Sequence, residues 1–347
     1  MAEKIKVIQY GLGAMGVGMV KMLLEKKDIE LVGAISASGR NKGLDVGTAI
    51  GLDRKLGVLI SNDAEKVLNT VKADIVLHAT CTTLEDAVRE TVPILKSGKN
   101  VITIAEEVLY PTGGNKKVFD DLDRIARENN VTILGTGINP GFVMDFLPLS
   151  MTGIMINIKR IKMQRVVNYG RYGKSVWEHI GVGKDIEAFN QGCKRGEIVL
   201  HVGLEQTVNI CAAALGWKLD KITVDKEPII SRIQRDTEFG SVLPGSIGGF
   251  KQIAIGWYKE EALITQELIG LINPDEKEDG VALGNNIWLE GDPSIHLFVG
   301  GEFADQGGKG TYAHAVNSIP QVIQAKPGFS TVISLPPAIC LKSKKAT

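Results

Sequence analysis

The stretch ITIAEEVLYP, residues 102–111, ends an apolar run on two adjacent carboxylates, Glu106 and Glu107. The run reads as a buried strand, and a charge at its end is costly unless it is used. A carboxylate whose pKa is raised by burial is a general base. One chemistry needs such a base directly. Hydride leaves a carbon bearing nitrogen only when the nitrogen has a free lone pair, so an ammonium must first lose its proton. The same base then activates water against the iminium. Side chains alternate along a strand, so extended geometry would point Glu106 and Glu107 in different directions. The competing reading leaves both exposed at a strand end.

A hydride acceptor is implied by the first residues. Gly11, Gly13 and Gly16 fit G-x-G-x-x-G, with Leu12, Ala14 and Met15 completing the loop. The loop follows the apolar run IKVIQY (5–10) and opens the helical pattern VGMVKMLLEKK, and IELVGAIS (29–36) supplies the next strand. Gly11 allows the tight turn, Gly13 lets a pyrophosphate approach the backbone, and Gly16 lets helix pack on strand. The end of the second strand decides between NAD and NADP. A carboxylate there binds a ribose 2′-hydroxyl. This chain has Ser36, Ala37, Ser38, Gly39, Arg40, Asn41 and Lys42 instead. Two hydroxyls and two cations suit a 2′-phosphate, so NADP(H) is expected to be preferred, with NAD(H) as the other cofactor. The alternative is that Arg40 and Lys42 are solvated loop charges.

HATCTT (78–83) ends another strand, and Thr80, Cys81 and Thr82 are expected along the cofactor. Cys81 reads as a packing residue, with no basic partner to make it a nucleophile. In an open α/β sheet, ligands bind beyond the carboxyl ends of the strands. GINPGFVMD (137–145) belongs there too. Its Asn139 and Pro140 form a rigid turn beside the substrate. Asp145 either accepts from a substrate ammonium or caps the following FLPLSM. Asn168, Tyr169, Arg171 and His201 are candidates for the substrate pocket, and Arg171 or Lys174 for a substrate carboxylate. His201 has a structural alternative, and His179 and His314 are weaker candidates. No histidine pair has metal-site spacing, and no metal is expected.

The elements that must position these groups alternate along the first half. SNDAEKVLNTVK (61–72), TLEDAVRETVPILKSG (83–98) and NKKVFDDLDRIARENN (115–130) read as helices. Between them ADIVLHAT (73–80), NVITIA (100–105) and VTILGTG (131–137) read as strands. This predicts an α/β fold, with an N-terminal Rossmann-type doubly wound parallel sheet followed by a second α+β domain. The dinucleotide-binding domain is placed at 1–146 and a substrate and oligomerisation domain at 147–310. The second domain reads as long antiparallel strands with helices between them. TYAHAVNSIPQVIQAKPGFS, from 311, has helical spacing, and 311–347 could return to the first domain.

The chain has 347 residues, enough for two domains, with 44% hydrophobic and 23% charged residues. Forty basic and forty acidic residues balance, and no basic patch with aromatics points to nucleic acid. No apolar run approaches the roughly 20 residues of a membrane span. The N-terminal apolar run is too short for a signal peptide. The four cysteines form no CxxC pair, which suits reduced thiols and a cytoplasmic location. The tail KSKKAT is expected to be solvated and frayed.

Several of these motifs together resemble the 2,4-diaminopentanoate dehydrogenase family and the related native amine dehydrogenases. They are YGLGAMG, AEEVLYP, GTGINPGFVMDFLP, HVGLEQT (201–207), and VNSIP followed by AKPG. The resemblance runs over nearly the whole chain. It implies interconversion of a ketone plus ammonia with a primary amine, using NAD(P)H, and a catalytic glutamate in the AEE stretch. It also implies a homodimer through the second domain. Homoserine dehydrogenases carry TANK on a related strand, and aligning TIAE with it puts Glu106 at their catalytic lysine. Glu106 is therefore favoured and Glu107 kept as the alternative. Many relatives carry Asp where Ser36 stands, which fits the expectation of NADP. Competing readings are a dihydrodipicolinate-reductase-like or homoserine-dehydrogenase-like reductase, or a catalytically silent NADP-binding sensor. The first two lose weight because the TANK lysine and an HHxxKxD cluster are missing.

Overall fold

The computed structural model describes residues 3–302 and 308–344. The chain divides into two compact units: Met1–Phe142 with Gly308–Thr347, and Val143–Gly307.

Among the described residues, the first unit holds a seven-stranded sheet. Its strands are β1 (Ile5–Tyr10), β2 (Ile29–Ile35), β3 (Ile60–Ser61), β4 (Ile75–His78), β5 (Asn100–Thr103), β6 (Thr132–Gly135) and β15 (Gly328–Ser330). They lie in the order β15-β6-β5-β4-β1-β2-β3, and every pair is parallel. The order reverses between β1 and β4, which is where a doubly wound sheet opens a crevice. One layer of helices is Ala64–Thr70, Leu84–Lys96 and Lys116–Glu128. Their apolar stripes meet Ile8, Tyr10, Val76, Val101 and Ile133 from alternate strand positions, all buried. Asp63 and Thr83 start two of these helices by accepting from Lys66 N–H and Asp86 N–H. The returning segment forms the helices Lys309–Asn317 and Ile319–Gln324 before β15, so its helical spacing gives way to a strand at GFS. Tyr312 of this segment lies on Gly18 of the helix Ala14–Glu25.

Two expectations are corrected here. NVITIA does not stay extended to residue 105. The Thr103 hydroxyl accepts the Ala105 N–H at 3.1 Å, and Glu106–Val108 then turn as a 3-10 helix. Glu106 and Glu107 therefore stand on a helical turn, and strand alternation does not set their directions. The tail also differs, up to Lys344; its last three residues lie outside the described ones. The Lys344 N–H donates to Glu25 O at 2.7 Å, and Lys342 O accepts the Lys27 N–H at 3.2 Å. The last carbonyls of the helix Ala14–Glu25 need donors, and Lys344 supplies two, its N–H to Glu25 O and its Nζ to Leu24 O.

The second unit carries a six-stranded sheet among the described residues. Its strands are β7 (Asn157–Asn168), β8 (Lys221–Ile230), β11 (Ile247–Tyr258), β12 (Glu261–Leu271), β13 (Gly284–Asp292) and β14 (Ile295–Val299). The order is β14-β13-β7-β12-β11-β8. β9 (Arg235–Thr237) and β10 (Gly240–Val242) form a small separate ribbon. The sheet is mixed rather than purely antiparallel, because β7 and β12 run parallel at its centre. Helix Leu204–Ala214 packs on β11, β12 and β8. Among the described residues no helix is long and apolar enough to cross a membrane.

Candidate active site

The glycine loop joins β1 to the helix Ala14–Glu25. Gly11 has φ +97°, and a Cβ there would lie 2.3 Å from Ala79 O. A Cβ on Gly16 would lie 2.0 Å from Gly11 O. Both positions admit only glycine. A Cβ on Gly13, by contrast, would meet nothing within 4 Å. Gly13 is the N-cap of the helix, makes no side-chain cap, and is followed by no acidic residue in the first turn. This exposed, uncapped N-terminus with an open approach fits a dinucleotide pyrophosphate. Leu12, Ala14 and Met15 line the same turn. Gln9, fully buried, donates from Nε2 to Gly11 O at 3.0 Å and braces it. Sequence reading missed Gln9. Its signal was an amide in the middle of an apolar strand.

These geometries separate two substitutions. Gly13→Ala should leave the melting temperature unchanged and weaken NADPH binding at least tenfold, because the methyl group enters only the ligand's space. Gly16→Ala should destabilise the chain by about 1–3 kcal/mol, since the methyl group meets backbone. Thermal melts and fluorescence titration check both.

Just past β2, Ser36 is buried, and its Oγ lies 3.3 Å from Ser38 Oγ. The Arg40 N–H donates to Ser38 Oγ at 3.4 Å, which folds the turn back on the two hydroxyls. The Arg40 and Lys42 side chains are exposed and form no ion pair among the described residues. The next carboxylate, Asp45, is occupied by the N–H groups of Gly47, Leu56 and Gly57.

At the end of β4, Thr80 packs against Gly11, its Cγ2 lying 2.9 Å from where a Gly11 Cβ would stand. Its hydroxyl is engaged with His78 and Glu90, so only its methyl and backbone remain for a ligand. Cys81 packs on Ala87, Ala105 and Val108. Burial pushes its thiol up to about 11, which keeps it protonated. His78, Cys81 and Glu90 bring ligand-type atoms within 4.8 Å of one another. They meet as a hydrogen-bonded group, since His78 Nε2 and Glu90 Oε2 are 2.8 Å apart.

The two glutamates of the AEE stretch are both half-buried. Glu107 Oε2 accepts the Leu84 N–H at 2.7 Å, and the Glu107 N–H donates to Thr82 O at 3.3 Å. Glu107 thus satisfies a first-turn donor of the helix Leu84–Lys96, where a negative charge is also favoured. That is a structural task, and it fastens the AEE turn to the HATCTT loop.

Asn139 and Pro140 are buried and joined by a cis peptide bond. The segment is braced from the returning helix. Thr136 Oγ1 lies 2.8 Å from His314 Nδ1, and the rings of Phe142 and His314 are 5.0 Å apart. Burial pulls the His314 pKa down to about 4, so its ring is neutral near pH 7.

In the second unit, the fully buried Asp145 accepts the Phe146 N–H at 2.6 Å and caps Phe146–Thr152. Asn168 Oδ1 accepts from Gly170 and Asn273, bracing the turn Tyr169–Arg171. Tyr169 packs edge-on against Phe250, while Arg171 and Lys174 are exposed. The His201 backbone is clamped by Gln252 at 3.2 and 2.9 Å. A residue missed from the sequence is Arg165, which is buried on β7. It lies in one cross-strand row with Gln252, Leu268 and Asn285. Its guanidinium donates to Asn285 Oδ1 at 2.5 Å, and among the described residues no carboxylate pairs with it. Asn285 is itself fixed by donating to Val299 O at 2.9 Å. Burial pulls the Arg165 pKa below its ordinary range, although a guanidinium stays protonated in any accessible pH. A buried cation with no carboxylate partner among the described residues calls for an anion.

Residues 142–347 match the family model described as the 2,4-diaminopentanoate dehydrogenase C-terminal domain. The chain is 37% identical over 338 residues to the 2,4-diaminopentanoate dehydrogenase of Acetoanaerobium sticklandii, covering 96% of this chain and 94% of that one. The chain belongs to the 2,4-diaminopentanoate dehydrogenase family. It is also 26% identical to an amine dehydrogenase of Streptomyces virginiae, over 96% of this chain and 98% of that one. Among solved structures, the amine dehydrogenase from Mycobacterium smegmatis superposes with a TM-score of 0.85 at 28% identity, covering 96% and 97% of the two chains. Residues 5–134 match the N-terminus of dihydrodipicolinate reductase. The chain is therefore an oxidoreductase with the Rossmann-type unit of an NAD(P)-dependent dehydrogenase.

Proposed function

We propose that the chain catalyses oxidative deamination of 2,4-diaminopentanoate to 2-amino-4-oxopentanoate and ammonia, and the reverse amination of small ketones. The observation that carries the assignment of roles is the Glu107–Leu84 hydrogen bond, which commits Glu107 to the start of the helix Leu84–Lys96, and Glu106 is assigned the proton transfers. When bound, the dinucleotide accepts or gives the hydride. The chain's part is to orient and to move protons. Glu106 takes the proton from the substrate ammonium, which frees the lone pair. After hydride transfer Glu106 gives that proton up to solvent, takes one from the water that attacks the iminium, and returns it to the carbinolamine nitrogen, which leaves as ammonia. Asn139 and Pro140 are the substrate candidates of the first unit, and Asn168, Tyr169, Arg171 and His201 those of the second. Arg165 receives the substrate carboxylate.

NADP(H) is the preferred cofactor in this reading, through Ser36, Ser38 and Arg40. Arg40→Ala should raise the KM for NADPH about tenfold and leave that for NADH within twofold, as loss of one charge-assisted bond would. Equal changes for both cofactors would remove Arg40 from the 2′-phosphate. A homodimer, a cytoplasmic location and the lack of nucleic-acid or membrane partners remain part of the proposal.

The deciding assay is NADPH consumption with 2-amino-4-oxopentanoate, with and without ammonia. Oxidation that requires ammonia is the expected result. Oxidation without ammonia would indicate a carbonyl or dihydrodipicolinate-type reductase, the reading that the match at residues 5–134 favours. Tight NADPH binding with no turnover would favour a sensor.

A further inference from the structure

A set of polar side chains lies behind the strand ends and takes no part in the chemistry above. His78 and Thr103 are fully buried and face each other as partners in β4 and β5. Glu90, from the helix Leu84–Lys96, reaches them with a side chain 15% exposed. Glu90 Oε2 is 2.8 Å from His78 Nε2 and also receives the Thr80 hydroxyl. A carboxylate only accepts, so His78 carries its proton on Nε2 and Thr80 donates. His78 Nδ1 and the Thr103 hydroxyl are hydrogen-bonded, 2.8 Å apart. That hydroxyl accepts in turn from the Ala105 N–H at 3.1 Å. His78 O takes the Ile104 N–H as well, also at 3.1 Å. The hydrogen bonds run unbroken from Glu90 through His78 and Thr103. At the other end stands the Ala105 N–H, on the residue before Glu106.

The ends of the relay are held. Burial pushes the Glu90 carboxyl up, but the hydrogen bonds from His78 and Thr80 outweigh it and keep the group below its usual range. Glu90 is thus an anion at neutral pH, and it accepts from both His78 Nε2 and the Thr80 hydroxyl. The Tyr10 ring meets His78 edge-on at 5.5 Å and limits its rotation. Neighbouring positions Val76, Leu77, Val101 and Ile102 are apolar and fully buried. Apolar residues at His78 and Thr103 would be the simpler way to fill such a core, and a buried polar network costs stability unless every member is satisfied. Here every member is satisfied, and the product is one defined backbone turn.

We propose that Glu90, His78 and Thr103 are positioning residues, a buried relay that sets the turn on which Glu106 stands. The inference rests on Glu106 being the base. Through Thr80 the same relay borders Gly11, so it ties the base to the cofactor loop without touching either ligand.

Thr103→Val keeps the shape and removes the hydroxyl. It should lower kcat for amination of 2-amino-4-oxopentanoate at least tenfold, with the KM for ketone and the NADPH dissociation constant within twofold. Thr103→Ser restores the hydroxyl and should return kcat to within threefold of the parent. Val101→Ala, in the same strand, controls for lost stability; it should lower the melting temperature without changing kcat. If Thr103→Val does not fold, Glu90→Ala takes its place. Glu90→Gln is then the rescue, because a single amide oxygen can accept both bonds that fall on Oε2. Unchanged kcat in Thr103→Val or Glu90→Ala, or a loss that the conservative variant does not rescue, overturns the relay. Glu106→Gln measured beside them separates the two claims. An inactive Glu106→Gln with an active Thr103→Val sinks the relay alone, whereas an active Glu106→Gln removes the base assignment and the relay with it.

Discussion

Glu106→Gln is expected to lower kcat for oxidation of 2,4-diaminopentanoate about a thousandfold at neutral pH, within the usual range for loss of a general base. NADPH binding should stay within twofold, because glutamine keeps the size and hydrogen-bonding atoms of the side chain while losing the basicity. The loss should also depend on pH in a way a mere structural defect would not. An alkyl ammonium loses its proton near pH 10, as lysine does. As pH rises toward that value, more substrate arrives already deprotonated, so the deficit of the variant should shrink. Glu107→Gln makes the contrast. Its amide oxygen can still accept the Leu84 N–H, and only the charge at the helix N-terminus is lost. That should cost at most about 1 kcal/mol of stability and leave kcat within threefold. If Glu107→Gln is the dead variant and Glu106→Gln survives, the roles of the pair are reversed.

The glycine loop, the alternation of strands and helices, and the AEE stretch were legible in the sequence because each is a local signal. A loop fixed by three glycines, a strand fixed by apolar runs and a helix fixed by Asp63 or Thr83 need only their neighbours. What escaped were features set by residues far apart in the chain. The end of β5 at Thr103 is set by a side-chain hydroxyl that takes the Ala105 N–H and is held by His78, 25 positions away. Glu107 is assigned by a helix start 23 positions away. The tail of the chain docks on the helix Ala14–Glu25 across more than 300 positions. Arg165 could have been found. In β7 the positions Ile161, Met163, Arg165 and Val167 alternate onto one buried face, and an arginine among them breaks the pattern. Sequence reading offers Arg171 or Lys174 for the substrate carboxylate, and both are exposed.

Arg165→Leu carries the second large effect, and its sign differs between activity and stability. The guanidinium is buried, donates to Asn285 Oδ1, and has no carboxylate partner among the described residues. Burying a charge costs several kcal/mol, and replacing it by an apolar side chain of similar volume is often neutral or stabilising. The melting temperature should therefore hold or rise. A bidentate pair with a substrate carboxylate contributes two charge-assisted bonds of about 1.5–3 kcal/mol each. Losing them should reduce kcat/KM for 2-amino-4-oxopentanoate by about a hundredfold to ten-thousandfold, at 1.4 kcal/mol per tenfold. Pentan-2-one has the same ketone and no carboxylate, so its kcat/KM should be unchanged or improved in the variant. The ratio between the two ketones is thus the readout, and it is insensitive to any general damage to the site. An equal fall for both ketones would make Arg165 a structural residue. No fall for either would move the carboxylate to another cation, with Arg171 and Lys174 the next to test. A protein that gains stability as it loses discrimination would mean that the buried charge is kept for recognition, at a cost the fold bears whenever the substrate is away.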